Sequence, residues 1–159
     1  MSFRKRGYIT IEELKSLVPL PPLERIKAGA VAVAECVEDI PCNVCMTACP
    51  TNAITVEGMR GMPKIEWDKC VGCGICVGTC PGQAIFLVDL KGESARVTLP
   101  YEFLPKVKKG MKVDLLNRAG EKVGEGKVVR VFEVNKTQVV TVEVPVDLIW
   151  EVRSIWVKE

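Results

Sequence analysis

The chain contains no histidine. Histidine-based acid–base catalysis, Rieske-type ligation and Cys/His zinc fingers are therefore excluded. Amide side chains are scarce beside plentiful Lys, Glu and Val, a composition that leans toward a heat-loving source. No apolar run approaches the roughly 20 residues that span a bilayer, so no membrane span is expected. The opening MSFRKRGYIT is basic and lacks the apolar stretch of a signal peptide, which makes the cytoplasm the expected location. The formal net charge is only +2 over 159 residues. Such a balance gives no electrostatic reason to expect nucleic acid or an acidic membrane surface as partner. A nucleotide fingerprint is missing too: no strand–turn–helix pattern follows the Gly124 and Gly126 pair.

What the chain does have is cysteine, eight in all, with seven of them in two runs of one rhythm. The second run is Cys70, Cys73, Cys76 and Cys80 followed by Pro81, or C-x2-C-x2-C-x3-C-P, the pattern that serves a pair of [4Fe–4S] clusters. The first run, Cys42, Cys45 and Cys49 followed by Pro50, repeats its last three positions. A shift of 31 residues carries Cys42 to Cys73, Cys45 to Cys76, Cys49 to Cys80, Pro50 to Pro81, Ala53 to Ala84 and Ile54 to Ile85. Disulfides belong to small exported chains, and such close spacing suits a shared metal better than crossing staples. A four-thiolate zinc ribbon on Cys42, Cys45, Cys73 and Cys76 is the other metal reading, but it leaves four cysteines and both Cys-Pro pairs without a purpose.

Three parts follow along the chain. Residues 1–28 form an arm, with helical spacing at Ile11, Leu14, Leu17 and Val18, Thr10 as N-cap, and a stiff Pro19-Leu20-Pro21-Pro22 stretch. The arm either packs on the domain or docks a partner. Residues 29–90 carry the cysteines. Each half reads as a cysteine loop, a helical turn and a strand (Ile54–Glu57, then Ile85–Asp89), with strand-like runs ahead at Ala30–Ala34 and Lys64–Trp67. Residues 91–159 alternate apolar and polar in short runs at Arg96–Leu99, Lys112–Leu116, Lys127–Val134, Gln138–Val144 and Ile149–Val157, with glycines 110, 120, 124 and 126 as punctuation. The fold class expected is α+β: a pseudo-twofold β-loop-α-β unit followed by a small antiparallel β-barrel or sandwich. Val139–Val144 is too apolar for a free edge and should be central.

On these motifs, residues 30–90 resemble a bacterial-type two-cluster ferredoxin domain. Residues 8–58 are also similar to a narrower group. Val31-Ala32-Val33-Ala34-Glu35-Cys36 and Ile40-Pro41-Cys42-Asn43-Val44-Cys45 resemble the small iron–sulfur subunits that accompany flavoprotein dehydrogenases of proline, hydroxyproline and related amino acids or polyols. That resemblance implies FAD-containing dehydrogenase subunits as partners, one of them also binding NAD(P), in a hetero-oligomer.

The two-residue gaps let thiolates curl round one face of a cube, and the fourth cysteine of a run points away to the other cube. One cluster is then expected on Cys70, Cys73, Cys76 and Cys49, the other on Cys42, Cys45 and Cys80. The fourth ligand of the second cluster is open: Cys36, Asp39 (the position 31 before Cys70), or none, leaving [3Fe–4S]. Soft thiolate favours Cys36. Its alternative is a buried strand cysteine. Gly72, Gly74 and Gly78 are expected to let backbone approach the cluster.

Trp67 reads as core or cluster shield. Trp150 and Trp156 would share a strand face and lean to the core. Lys106, Lys108 and Lys109 form a solvated turn or a steering patch. Ile40, Pro41, Val44 and Met46 read as local packing or a docking rim. No residue is assigned a catalytic role. The expected function is a non-catalytic electron-transfer subunit relaying electrons between flavoprotein dehydrogenase subunits and an acceptor. A free ferredoxin carrier with an accessory domain, and a protein stapled by structural clusters, are the alternatives.

Overall fold

The computed structural model describes residues 2–158. Its arm holds three short helices, α1 (Phe3–Arg6), α2 (Ile11–Leu17) and α3 (Leu23–Ala28). Helix α2 starts as its sequence dictates. The Thr10 hydroxyl accepts from the Glu13 N–H at 3.3 Å, and the Glu13 carboxylate accepts from the Thr10 N–H at 3.0 Å, a reciprocal capping box. Arg6 also sits on the Glu13 carboxylate. Leu14 and Ile26 are buried, so α2 and α3 cover the protein's own core. Helices α1 and α3 were not anticipated. Pro22 is the N-cap of α3, so the proline stretch launches a helix. Upstream of it, Pro19 and Pro21 border a crevice with Ala32, Ile65 and Trp67.

The cysteine region has a strand on each side of each loop. The first half runs β1 (Val31–Ala34), α4 (Val44–Ala48), β2 (Ile54–Thr55). The second runs β3 (Lys64–Ile65), α5 (Ile75–Thr79), β4 (Ile85–Lys91). Adding 31 to the bounds of α4 gives those of α5. Pairing crosses between halves: β1 is antiparallel to β4, and β2 to β3.

Strand β4 then turns at Gly92 into β5 (Ser94–Tyr101), and the sheet continues through β6 (Lys112–Leu116), β7 (Lys122–Val134), β8 (Thr137–Val144) and β9 (Ser154–Trp156). The order across the large antiparallel sheet is β1-β4-β5-β8-β7-β6-β9. The expected 90/91 boundary therefore falls in a hairpin, with one sheet running through it. Strand β8 is central, between β5 and β7, as its apolar run requires. The sheet curls, bringing β9 within 8 Å of β5 at Cα positions although no ladder joins them.

Two-residue periodicity divides β1 and β4 between two cores. Val31, Val33, Phe86, Val88 and Leu90 face the larger core under the curled sheet. Ala32, Ala34, Ile85 and Leu87 face the smaller one, which contains Cys45 and Cys76. This two-stranded wall is buried on both faces and belongs to both regions.

Two expectations fail in the C-terminal region. Gly124 and Gly126 lie inside β7, opposite Leu115 and Val113. Strand β7 pairs with β6 through its first half and with β8 through its second, with a register shift between Val128 and Arg130. A side chain at Gly126 would strike the Glu143 carbonyl oxygen at 2.4 Å, so the glycine permits that crossing. Ile149–Val157 is not one strand either. A 3-10 turn (Val146–Leu148) precedes it, and only Ser154–Trp156 pairs. The two tryptophans consequently do not share a face: Trp150 packs on the larger core, whereas Trp156 is 63% exposed. The break has a physical reason in Arg153, whose side chain is drawn inward to Glu35.

Candidate iron–sulfur centres

The two cysteine runs are built by one local device used twice. Cys45 and Cys76 lie in α4 and α5, and Cys49 and Cys80 end those helices, each donating its N–H to the carbonyl of the cysteine four residues before, at 3.1 and 3.0 Å. The chain then turns through Asn52 (φ 55°) and Gln83 (φ 53°). That turn aims the Ala53 N–H at Cys49 Sγ (3.3 Å) and the Ala84 N–H at Cys80 Sγ (3.4 Å). A third sulfur, Cys70 Sγ, accepts from the Ala32 N–H of β1 at 3.4 Å. Backbone N–H groups at sulfur stabilise thiolate charge. The repeat of Ala53 in Ala84 is visible in the sequence, but its role as donor is not.

Four cysteines share a cavity, and the other four act on one another through their charges. Cys49, Cys70, Cys73 and Cys76 border one small cavity, together with Ala32, Ile54, Ile65 and Leu87. Burial pushes the Cys76 thiol up to about 12, helped by the charges of Cys70, Cys73 and Cys49. Burial also raises the thiol of Cys49, but the Ala53 N–H and the Thr51 hydroxyl outweigh it and hold the thiol below its usual range. In the second set, burial and then Cys80, Cys36 and Cys42 push Cys45 up to about 11. Cys36 is raised by burial first, then by Cys80 and Cys42. The two sets touch: Cys45 is among the charges that act on Cys76, and α4 packs against α5.

Cys36 thus lies within electrostatic reach of Cys42, Cys45 and Cys80. Asp39 turns elsewhere. Its carboxylate is exposed and accepts from Arg60 Nε at 2.9 Å, while its carbonyl accepts from Arg60 Nη2 at 2.8 Å. Among the described residues, no three Cys, Asp or Glu side chains close on one point as they would round a single ion. A cube of four irons and four sulfides takes its thiolates at its corners, further apart. Soft donors in fours, N–H groups aimed at sulfur, and crowded thiols whose mutual repulsion a cationic core relieves all fit such a group.

Gly72 and Gly74 border the cavity of the first four cysteines, and all three glycines also meet protein neighbours. A Cβ at Gly72 would meet the Ala30 carbonyl oxygen at 2.6 Å, one at Gly74 the Phe132 ring at 3.1 Å, and one at Gly78 Val134 Cβ at 2.6 Å. They admit the residue ahead of β1 and the β7–β8 hairpin. Trp67 packs on the larger core. Ile40 and Val44 are exposed on the rim of the first loop, whereas Met46 is half-buried and its sulfur accepts from the Val56 N–H at 3.4 Å. Lys106 pairs with Glu133 at 3.0 Å.

Residues 35–84, which include all eight cysteines, match the family model of the 4Fe-4S dicluster domain. No curated protein and no solved structure matches the chain. The match supports a ferredoxin-type iron–sulfur domain in this segment and 4Fe–4S cluster binding by it, which suggests electron transfer. No helix among the described residues is long and apolar enough to cross a membrane.

Proposed function

We propose that this protein is an electron-transfer subunit with two [4Fe–4S] clusters, one on Cys49, Cys70, Cys73 and Cys76 and the other on Cys36, Cys42, Cys45 and Cys80. The observation that supports the reading is the one cavity bordered by Cys49, Cys70, Cys73 and Cys76, with Cys36, Cys42, Cys45 and Cys80 left to act on one another's charge. When bound, such clusters supply one-electron chemistry. The chain's own residues hold and tune them. Cysteine thiolates ligate, the N–H groups of Ala32, Ala53 and Ala84 stabilise sulfur charge, and Ile54, Ile65 and Leu87 keep water from the first set.

The partners we propose are FAD-containing dehydrogenase subunits, one of them also binding NAD(P), in a hetero-oligomer. Support for this comes from the similarity of residues 31–45 to small subunits of amino-acid and polyol dehydrogenases. The exposed Ile40 and Val44 beside the first loop would suit such a contact.

Anaerobically purified protein should contain about eight irons and as many sulfides per chain. Cys36→Ala should lower the iron count or convert one EPR signal to a three-iron form. An unchanged count and spectrum would remove Cys36 from the ligand set, and zinc without sulfide would end the proposal. Native purification should bring down a flavoprotein with the chain. Recovery of the chain alone, with two reversible clusters, would favour a free carrier.

A further inference from the structure

Helix α3 of the arm sends one side chain into the cysteine region. Arg25 spends its guanidinium on four backbone carbonyls: Nε on Trp67 (2.9 Å), Nη1 on Gly29 (3.0 Å), and Nη2 on Cys70 (2.9 Å) and Ala30 (3.5 Å). Trp67 and Cys70 are the two ends of the turn that leads into the second cysteine run, a turn closed by the Cys70 N–H on the Glu66 carbonyl at 3.2 Å. Gly29 and Ala30 lead into β1. The guanidinium thus ties the entrance of the Cys70 loop to the start of β1, where Gly72 nests against Ala30 and the Ala32 N–H reaches Cys70 Sγ.

Its charge is not cancelled locally. No ion pair among the described residues includes Arg25. The acidic residues beside Arg25 and beside Trp67, namely Glu24, Glu66 and Asp68, are all exposed, and Glu66 pairs with Lys69 at 3.0 Å. Arginine keeps its charge at any working pH. A fixed positive charge on the carbonyl of a ligating cysteine favours the more negative state of whatever that cysteine holds.

We infer that Arg25 is a positioning residue for one cluster only. It clamps the Cys70 loop, and its charge raises the reduction potential of the cluster on Cys49, Cys70, Cys73 and Cys76 while leaving the other unmoved. The inference rests on the two-cluster reading above and goes beyond it, since neither the cysteine motif nor the family match includes residue 25.

The test is an EPR-monitored redox titration of the full chain, purified anaerobically. Cys36→Ala marks the signal of the second cluster. Arg25→Gln should shift the other signal's midpoint downward and leave the marked one in place. Arg25→Lys keeps the charge but not the fork. It should hold the midpoint near wild type while the same cluster is lost to a chelator several-fold faster. Unmoved midpoints in Arg25→Gln, or equal movement of both, would overturn the inference. If Arg25→Gln does not retain its iron, Arg25→Lys decides: a lowered midpoint, or wild-type rates of loss, overturns it. Absence of two cluster signals in the wild type would instead strike the proposed function, before any Arg25 variant is measured.

Discussion

The two ends of this sheet are held together by different physics. In the cysteine region α4 and α5 have five residues each, and β2 and β3 two each. Helices and ladders so short have almost no stability of their own. On the other side β5, β7 and β8 run to 8, 13 and 8 residues, and β8 places Val140, Val142 and Val144 in the larger core. Hydrocarbon burial suffices there. The cysteine region instead crowds eight ionisable thiols into one short segment, a costly arrangement unless a metal core unites them. One chain is therefore expected to contain a region whose fold depends on its cargo and a region that forms without it.

The sharpest way to break this contrast is to remove iron by oxidation and chelation and follow amide hydrogen exchange. Protection should collapse in residues 36–56 and 64–80 and persist in β5, β7 and β8. Uniform loss would mean that the sheet also leans on the clusters. Uniform persistence would mean that the short elements stand alone.

A second, smaller effect tests how the regions are joined. Glu35, the residue before Cys36, is buried between two arginines from the far side of the sheet. Arg118 Nε and Nη2 reach its carboxylate at 2.8 and 2.9 Å, and Arg153 Nε at 2.6 Å. Side-chain exposures of 6%, 8% and 3% for Glu35, Arg118 and Arg153 place all three charges away from water. Arg118 also donates to the Trp150 carbonyl, and Arg153 to those of Ile149 and Val152. Arg153 lies over the Phe86 ring as well, 5.2 Å from its centroid. Glu35→Gln would leave two buried guanidiniums without their anion, a loss of about 3–5 kcal/mol. Urea unfolding followed by circular dichroism and by iron release should show both transitions move down together. A shift in iron release alone would make the joint a local prop of Cys36.

The contrast also explains which features were legible in the sequence. Strands β5, β6 and β8 follow from alternation, and α4 and α5 from the cysteine repeat, because these signals lie within a few residues. The pairing of β1 with β4 and of β2 with β3 is consistent with the pseudo-twofold repeat, but the repeat alone does not choose it over pairing within each half. What escaped depends on distant partners. Arg118 and Arg153 meet Glu35 across 83 and 118 residues. The cue was there: Glu35 ends an apolar strand, and Arg153 interrupts the apolar Ile149–Val157 run. A charge in such a run needs either a break in the strand or a buried partner, and here both occur. Arg25 gave no cue, since a half-exposed arginine on a short helix looks like any solvated one. The second use of Gly74 and Gly78 escaped for a related reason: their neighbours, Phe132 and Val134, lie in a region the cysteine motif does not include.

The finest test uses the repeat itself. Position 78 in α5 corresponds to position 47 in α4, since 78 − 31 = 47, yet their surroundings differ. Gly78 presses on the β7–β8 hairpin, where an added Cβ would stand 2.6 Å from Val134 Cβ and 2.9 Å from Val139 Cγ2. Thr47 is exposed. Gly78→Ala should cost about 1–3 kcal/mol by overpacking, despite the better helix propensity of alanine. Thr47→Ala should stay within about 0.5 kcal/mol of wild type. Because Cys76 and Cys80 flank position 78 and are proposed as ligands of different clusters, Gly78→Ala should also speed loss of both clusters to a chelator. Val139 lies in the all-β region but packs in the core that contains Cys45 and Cys76, so the sheet acts as the seat on which α5 is pressed. Equal effects at the two positions would mean that α5 owes its place to its cysteines alone.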